Sequence, residues 1–302
     1  PMNLYEELCA IAGEENVLRD EPMSRHTTFR IGGPADYFVT PSEAGQIGKI
    51  TDLCRRQGVD HYIIGNGSNL LVGDRGYRGV IIQVFKNMNA VRVEGSVIRA
   101  QAGALLSKVA AAACEAELEG FEFASGIPGT LGGAVRMNAG AYGGEMKQVL
   151  QSASVLTPGG EILTLPVEEM GMGYRTSIVS RKDYVVLEAV LSLKKGDREA
   201  IRARMDELRT KRVEKQPLEY GSAGSTFKRP EGYFAGKLIQ DAGLRGFRVG
   251  NAQVSEKHCG FVINLGGATA EDVSRLMEKV IRRVEENSGD RLEPEDKRIG
   301  EF

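Results

Sequence analysis

Three stretches of this 302-residue chain carry side chains that can do chemistry. "GYRTS" puts Tyr174 beside Arg175 at the end of a helix-like stretch. An arginine there can grip a carboxylate through two parallel hydrogen bonds, or simply neutralise a helix C-terminus. "GSAGSTFKRP" sets Ser222 and Ser225 in a glycine loop, with Lys228 and Arg229 behind them. Such a loop offers a hydroxyl to a substrate and cations to a phosphate, and it equally suits an ordinary turn. "RLEPEDKRIG" holds Glu293 and Glu295 in a strand-like segment, where most carboxylates are merely solvated. Taken singly, none of the three selects a reaction.

Glycine is the second signal. The chain has 38 glycines, where ordinary usage of ~7% would give about 21. They cluster at 65–76, 126–144, 221–224 and 243–250. "IIGNGSNLLVGDRG" (63–76) follows a strand-like run and reads either as a turn or as a cradle of backbone N–H groups for an anion. In "FASGIPGTLGGAVRMNAGAYGGEM" (123–146), Gly132-Gly133-Ala134 opens a helix whose free N–H groups would favour phosphate oxygens. Neither stretch is a GxGxxG followed by an acid, and no GxxxxGK[ST] occurs, so an ordinary Rossmann or P-loop site is excluded.

Forty-one acidic residues against 39 basic ones argue against a dedicated nucleic-acid binder. There is no run of 18 apolar residues, and the N-terminal stretch is too charged for a signal peptide, so a soluble cytoplasmic protein is expected. Cys9, Cys54, Cys114 and Cys259 fit neither a metal site nor a disulfide framework. The first three lie in helix-like stretches and are expected to be buried thiols. His26, His61 and His258 assemble into no metal or triad motif.

These residues need scaffolding. Helices are expected at 3–12, 43–57, 104–120 (with Gly120 as C-cap), 198–215, around 234–243 and at 270–286. Strands are expected at "HYIIG", "GVIIQV", "YVVLEAVLSL" and "FVINLG", and hairpins at "VRVEGSVIRAQAG" and "ASVLTPGGEILTL". The last helix shows Val273, Leu276, Met277, Val280 and Val284 on one face, opened by Thr269 and Asp272 as a capping box. A loop of about 25 residues separates Gly120 from the next hairpin, and loops that long tend to be functional. The class is α+β.

In chain order, "TTFRIGGPAD", "GNGSNLLVGDRG", "GIPGTLGGAVRMNAGAYGGE", "GYRTS", "GSAGSTFKRP", "AGKLIQDAGLRGFRVGNAQVSEKHCGFVIN" and "LEPEDKRIG" resemble one family over nearly the whole chain. It is the MurB family of UDP-N-acetylenolpyruvoylglucosamine reductases, in its shorter subclass. The resemblance implies a two-subdomain FAD-binding domain of the vanillyl-alcohol-oxidase (PCMH) type over 1–195, with subdomains of about 1–57 and 58–195. A C-terminal α+β substrate domain follows over 196–302. FAD would be held non-covalently by Gly65, Asn66, Gly67, Ser68, Asn69 and Leu70, and by Gly126, Ile127, Pro128, Gly129, Gly132, Gly133, Ala134, Asn138, Ala139, Gly140 and Ala141. NADPH would supply hydride and a nucleotide-sugar would receive it, in a monomer with no nucleic-acid or membrane partner.

Arg175 matches the family's arginine beside the substrate carboxylate, Ser225 its proton donor, and Glu295 its glutamate, in the acid form. Tyr174, Arg229 and Lys237 match positions that meet the nucleotide-sugar. This chain reads Glu295-Asp296-Lys297 where the family usually has Glu-Val-Arg, and His258-Cys259-Gly260-Phe261 where it usually has His-Ala-Asn-Phe. His258 is expected to be structural. An oxidase of the same superfold, or a protein that only binds a dinucleotide or nucleotide-sugar, would lack a reason for the arginine, serine and glutamate together.

Overall fold

The computed structural model describes residues 1–302. Contacts group them into two compact units, each assembled from separated segments. The first comprises Pro1–Leu18, Phe38–Asn66 and Ile81–Lys211, and the second Arg19–Tyr37, Gly67–Val80 and Arg212–Phe302. Each has its own apolar core. The chain passes from the first to the second inside the glycine loop, between Asn66 and Gly67.

In the first unit the two expected hairpins form. Strands Val91–Glu94 and Val97–Gln101 pair antiparallel, as do Leu150–Leu156 and Ile162–Pro166. Strand Val185–Ser192 lies between the hairpins and completes a five-stranded antiparallel sheet. Its side chains are buried almost without interruption, as a central strand requires, whereas those of the edge strand Ile162–Pro166 are alternately exposed and half-buried. The alanine-rich helix Leu106–Glu115 adds small side chains, Ala110 and Ala113, to the same core.

That helix ends five residues before Gly120. Glu117 turns the chain at φ 59°, and Leu118–Glu119 then pair with Lys194–Lys195. Strand pairing claims residues that local propensity assigned to the helix. Residues 121–145 are likewise not an open loop, because they hold a 3-10 turn, the helix Leu131–Met137 and a two-residue strand pair. Among the cysteines, Cys54, Cys114 and Cys259 are buried and Cys9 only half-buried. Burial pushes the Cys54 thiol up to about 11.

The second unit packs helices Ala235–Asp241 and Ala270–Ser288 with the antiparallel strands Arg248–Val249, Ala252–Val254 and Val262–Asn264. The expected stripe of the last helix, Val273 to Val284, is wholly buried. Its N-terminus leaves four N–H groups without intrahelical acceptors, and all four are accounted for. Asp74 accepts from Ala270 (2.8 Å) and Glu271 (3.0 Å). The Thr269 hydroxyl takes the Asp272 N–H at 3.0 Å, and the ordinary helical ladder begins with Val273, which donates to the Thr269 carbonyl at 3.2 Å. The Asp272 carboxylate completes the capping box by accepting from the Thr269 N–H at 3.2 Å.

Asp74 is placed by glycines on both sides. A Cβ on Gly73 would run into the Glu301 carbonyl, and one on Gly76 into that of Pro34. The second half of the 63–76 glycine stretch therefore closes a helix end. Asp74→Ala should lower the urea midpoint of unfolding by an amount equivalent to ~1 kcal/mol, the ordinary worth of a helix cap. Asp74→Asn, which keeps an acceptor, should recover part of it.

Candidate functional site

The glycine loop proper is Gly65–Asn69. Gly65 lies against Thr130, whose hydroxyl would be 2.6 Å from a Cβ placed there, so the two glycine clusters of the sequence meet. Gly67 has φ +71°, and a Cβ on it would strike the His26 carbonyl. The loop's backbone hydrogen bonds to the protein run through its carbonyls. Gly67 accepts from the Thr28 N–H (3.2 Å) and Asn69 from that of Lys297 (2.8 Å). The N–H groups of Asn66, Gly67 and Ser68 donate to no protein acceptor. A left-handed glycine among undirected N–H groups is the geometry of an anion-binding nest, and it fits a pyrophosphate.

The helix Leu131–Met137 behaves otherwise than the sequence suggested. Its first N–H groups are not free. Leu131 donates to Ala104 O (2.8 Å), Gly132 to Ala102 O (2.9 Å) and Gly133 to the Thr130 hydroxyl (3.4 Å). Gly132 is needed because Ala102 lies 2.9 Å from where its Cβ would be. The Gly132-Gly133-Ala134 run thus packs a helix end onto its neighbour and leaves that end no N–H for a phosphate. Upstream, Ile127 donates to Ala124 O and Gly129 accepts from Leu106. Pro128 joins these two turns.

Asn138, at φ 47°, closes the helix and spends its side chain on three neighbours. It donates to Gly173 O (3.1 Å) and Glu145 Oε2 (3.4 Å) and accepts from the Lys147 N–H (2.9 Å). Ala139 donates to Ala134 O, and Gly140 and Ala141 pair with Glu145 and Gly144. The contact to Gly173 locates Arg175. Gly173 and Thr176 exchange backbone hydrogen bonds of 3.1 and 3.3 Å across a two-residue turn whose tip is Tyr174-Arg175. Arg175 is therefore not at a helix end. It holds φ 54°, and Tyr174 is 70% exposed. Beside the turn is a cleft of about 360 Å³ lined by Asn138, Gly140, Gly144, Glu145, Tyr174 and Arg175. Glu145 went unread in the sequence. Its one signal is that it ends the "GAYGGE" run with a carboxylate.

Ser225 and Glu295 belong to the second unit and are brought together there. Ser225 is exposed and bridges antiparallel to Phe261. The next residue, Thr226, is 2% exposed and accepts the Glu295 N–H at 2.8 Å on its carbonyl. Phe227 then bridges Pro294, and Lys228 donates to Glu293 O. Of the two candidate carboxylates, the Glu293 side chain is 71% exposed and pairs with Lys228 at 3.7 Å, while Glu295 is half-buried. Arg229 stacks 4.1 Å from the Phe234 ring centre, and Lys237 pairs with Asp241 at 3.0 Å along its own helix. The His258 ring accepts the Gly260 N–H on Nδ1 (3.0 Å) and packs edge-on against Phe261. Burial pulls its pKa down.

An undirected row of N–H groups at a left-handed glycine, in an α+β chain that also carries a serine and a carboxylate on paired segments, fits the class of enzymes that bind a phosphate-bearing cofactor. The comparisons make that specific. A family profile described as "FAD binding domain" matches residues 35–166, and one described as "UDP-N-acetylenolpyruvoylglucosamine reductase, C-terminal domain" matches 216–299. A UDP-N-acetylenolpyruvoylglucosamine reductase of Agathobacter rectalis is 56% identical over 298 residues, covering 95% of each chain. One from Clostridium perfringens is 53% identical over 303 residues, with 99% of each chain covered. The crystal structure of the Thermus caldophilus enzyme superposes with a TM-score of 0.79 at 35% identity, over 94% of this chain and 98% of that one.

The chain belongs to the UDP-N-acetylenolpyruvoylglucosamine reductase family. It is an FAD-dependent oxidoreductase that reduces UDP-N-acetylglucosamine enolpyruvate in peptidoglycan precursor synthesis.

Asp296, next to Glu295, shows what the departure from Glu-Val-Arg does. Its side chain is 1% exposed, neither carboxylate oxygen has a hydrogen-bond donor, and Arg298 stands 3.6 Å away. Desolvation raises its pKa, the effect of Arg298 only partly opposing it. A folded-state pKa above the unfolded value of ~3.9 means the folded chain binds the extra proton, so stability falls as pH rises between the two values. Asp296→Asn should therefore be more stable than the parent at pH 8, with the gain in melting temperature shrinking as the pH approaches ~4. Thermal unfolding at several pH values measures this.

Proposed function

We propose that Arg175, Ser225 and Glu295 carry the reduction, with residues 1–195 holding FAD and 196–302 meeting the nucleotide-sugar. FAD held at the 65–69 loop would supply the two-electron hydride chemistry that links NADPH to C3 of the enolpyruvyl ether. The chain's residues manage everything else. Addition of hydride at C3 places negative charge on C2 and its carboxylate. Arg175 binds that carboxylate, and its left-handed turn presents the guanidinium on a short, hydrogen-bonded loop. Fixed charge of this kind typically lowers a barrier by ~2.7–4 kcal/mol. Ser225 gives its hydroxyl proton to C2, and hydride plus proton saturate the double bond. Glu295 acts beside the same developing charge.

The observation that carries this reading is the pairing of the Ser225 and Glu295 segments through Thr226, which sets a hydroxyl donor and a carboxyl on adjacent segments. Tyr174, Arg229 and Lys237 bind the nucleotide-sugar. Arg229 and Lys237 are already partnered, so binding exchanges their contacts with Phe234 and Asp241 for contacts with substrate. The enzyme works in the cytoplasm as a monomer, where its product feeds cell-wall synthesis and, through it, cell shape and division. No helix is long and apolar enough to cross a membrane.

The test separates the two half-reactions by absorbance near ~450 nm under anaerobic conditions, where oxidised flavin is read. Ser225→Ala should bleach with NADPH as the parent does. Its colour should return on adding UDP-N-acetylglucosamine enolpyruvate about 10²–10⁴-fold more slowly, the usual worth of a positioned acid. Recovery at the parent rate would remove Ser225 from the mechanism.

A further inference from the structure

Asn69 sits in the glycine loop that the sequence assigns wholly to the cofactor, yet its polar groups serve another residue. Its side-chain Nδ2 donates to the Glu295 carbonyl at 3.3 Å, and its own carbonyl accepts the Lys297 N–H at 2.8 Å. It thus spans Asp296, holding the peptide before that residue and the peptide after it. The Glu295 N–H goes to Thr226 O at 2.8 Å, so both backbone polar groups of Glu295 are tied. Parallel pairing with the strand Leu70–Val72 begins only at Lys297, in register with Leu70. Glu295 precedes that ladder, and no regular strand pairing fixes its carbonyl. The Asn69 amide holds it instead.

The two sides of this short segment also differ. Asp296 is buried, whereas Glu295 stays half-exposed. The direction of the Glu295 carboxyl follows from the orientation of the peptide planes on either side of it. A carbonyl free to swing would let that carboxyl drift, and a misplacement of about 1 Å at a reacting centre costs on the order of a hundredfold in rate.

We propose that Asn69 is a positioning residue for Glu295: its side-chain amide fixes the Glu295 carbonyl so that the carboxyl is held on the substrate, and it is not a ligand of FAD. This rests on the role given to Glu295 above. It assigns the loop a division of labour, with the N–H groups of Asn66, Gly67 and Ser68 turned to the cofactor and the Asn69 side chain turned to the acid.

The test uses Asn69→Asp, which keeps the shape of the side chain and replaces the donor with an oxygen facing another oxygen. The variant should retain FAD through gel filtration and bleach with NADPH at the parent rate. Its reoxidation by UDP-N-acetylglucosamine enolpyruvate should slow about ten- to a hundredfold. Amide hydrogen exchange over 295–299 should accelerate, a readout that does not depend on activity. Asn69→Gln, which keeps an amide donor, should recover part of the rate and covers the case in which the aspartate does not fold. Combining Asn69→Asp with Glu295→Gln should slow reoxidation no further than Glu295→Gln alone, because the two act as one unit.

Loss of flavin, or slowing of both half-reactions together, would make Asn69 a cofactor residue and overturn the proposal. Normal reoxidation in Asn69→Asp alongside a slow Glu295→Gln would overturn it too. If Glu295→Gln itself reoxidises at the parent rate, the assignment of Glu295 is at fault and the positioning role falls with it.

Discussion

Thr226 has three polar groups besides its hydroxyl proton, and each is committed to a different segment. Its N–H donates to Gly260 O at 2.9 Å, its hydroxyl oxygen accepts from Val262 at 2.8 Å, and its carbonyl accepts from Glu295 at 2.8 Å. A residue this deeply buried cannot leave any of them unpaired without losing on the order of 1–3 kcal/mol. The three bonds therefore fix where the segments lie relative to one another. Ser225 is exposed only because its neighbour is anchored, and Glu295 lies near it for the same reason. Phe227 and Val262, on either side of these bonds, belong to the same apolar core as the buried stripe of the last helix.

The glycines divide into two groups that look alike in sequence. Gly73, Gly76 and Gly132 are small because another backbone or side chain occupies the place of a Cβ. Gly67 also adopts a left-handed backbone and stands among N–H groups that serve no protein acceptor. Only this second condition describes a ligand cradle. Glycine clustering in the sequence does not separate the two groups, because close packing and an undirected N–H row call for the same residue.

Much of the architecture is legible locally. The alternation in 91–101 and 150–166, the apolar stripe of 270–288 and the Thr269–Asp272 box all rest on residues within a few positions of one another, and all form. What escaped local reading depends on partners far along the chain. The helix after 104 stops early because Lys194–Lys195 claim Leu118–Glu119 as strand. The N–H groups at 131 and 132 are taken by carbonyls of Ala104 and Ala102. Arg175 sits on a tight turn because Gly173 and Thr176 close on each other, which nothing in "GMGYRTS" distinguishes from a helix end. The family resemblance, not residue spacing, named the arginine, serine and glutamate. The structure adds that the serine and the glutamate are carried by paired segments.

The backbone of Arg175 has a consequence for how this protein can change. At φ 54° a residue with a Cβ is strained, and glycine, asparagine or aspartate would relax it. None of the three carries a positive charge. If Arg175 has the role proposed for it, selection for a more stable fold and selection for a guanidinium pull against each other at this one position. The usual route of replacing a strained residue with a comfortable one is closed here. On that role, variants that gain robustness must find it elsewhere in the chain, and an unrelaxed arginine at this turn would mark chains that keep the reaction.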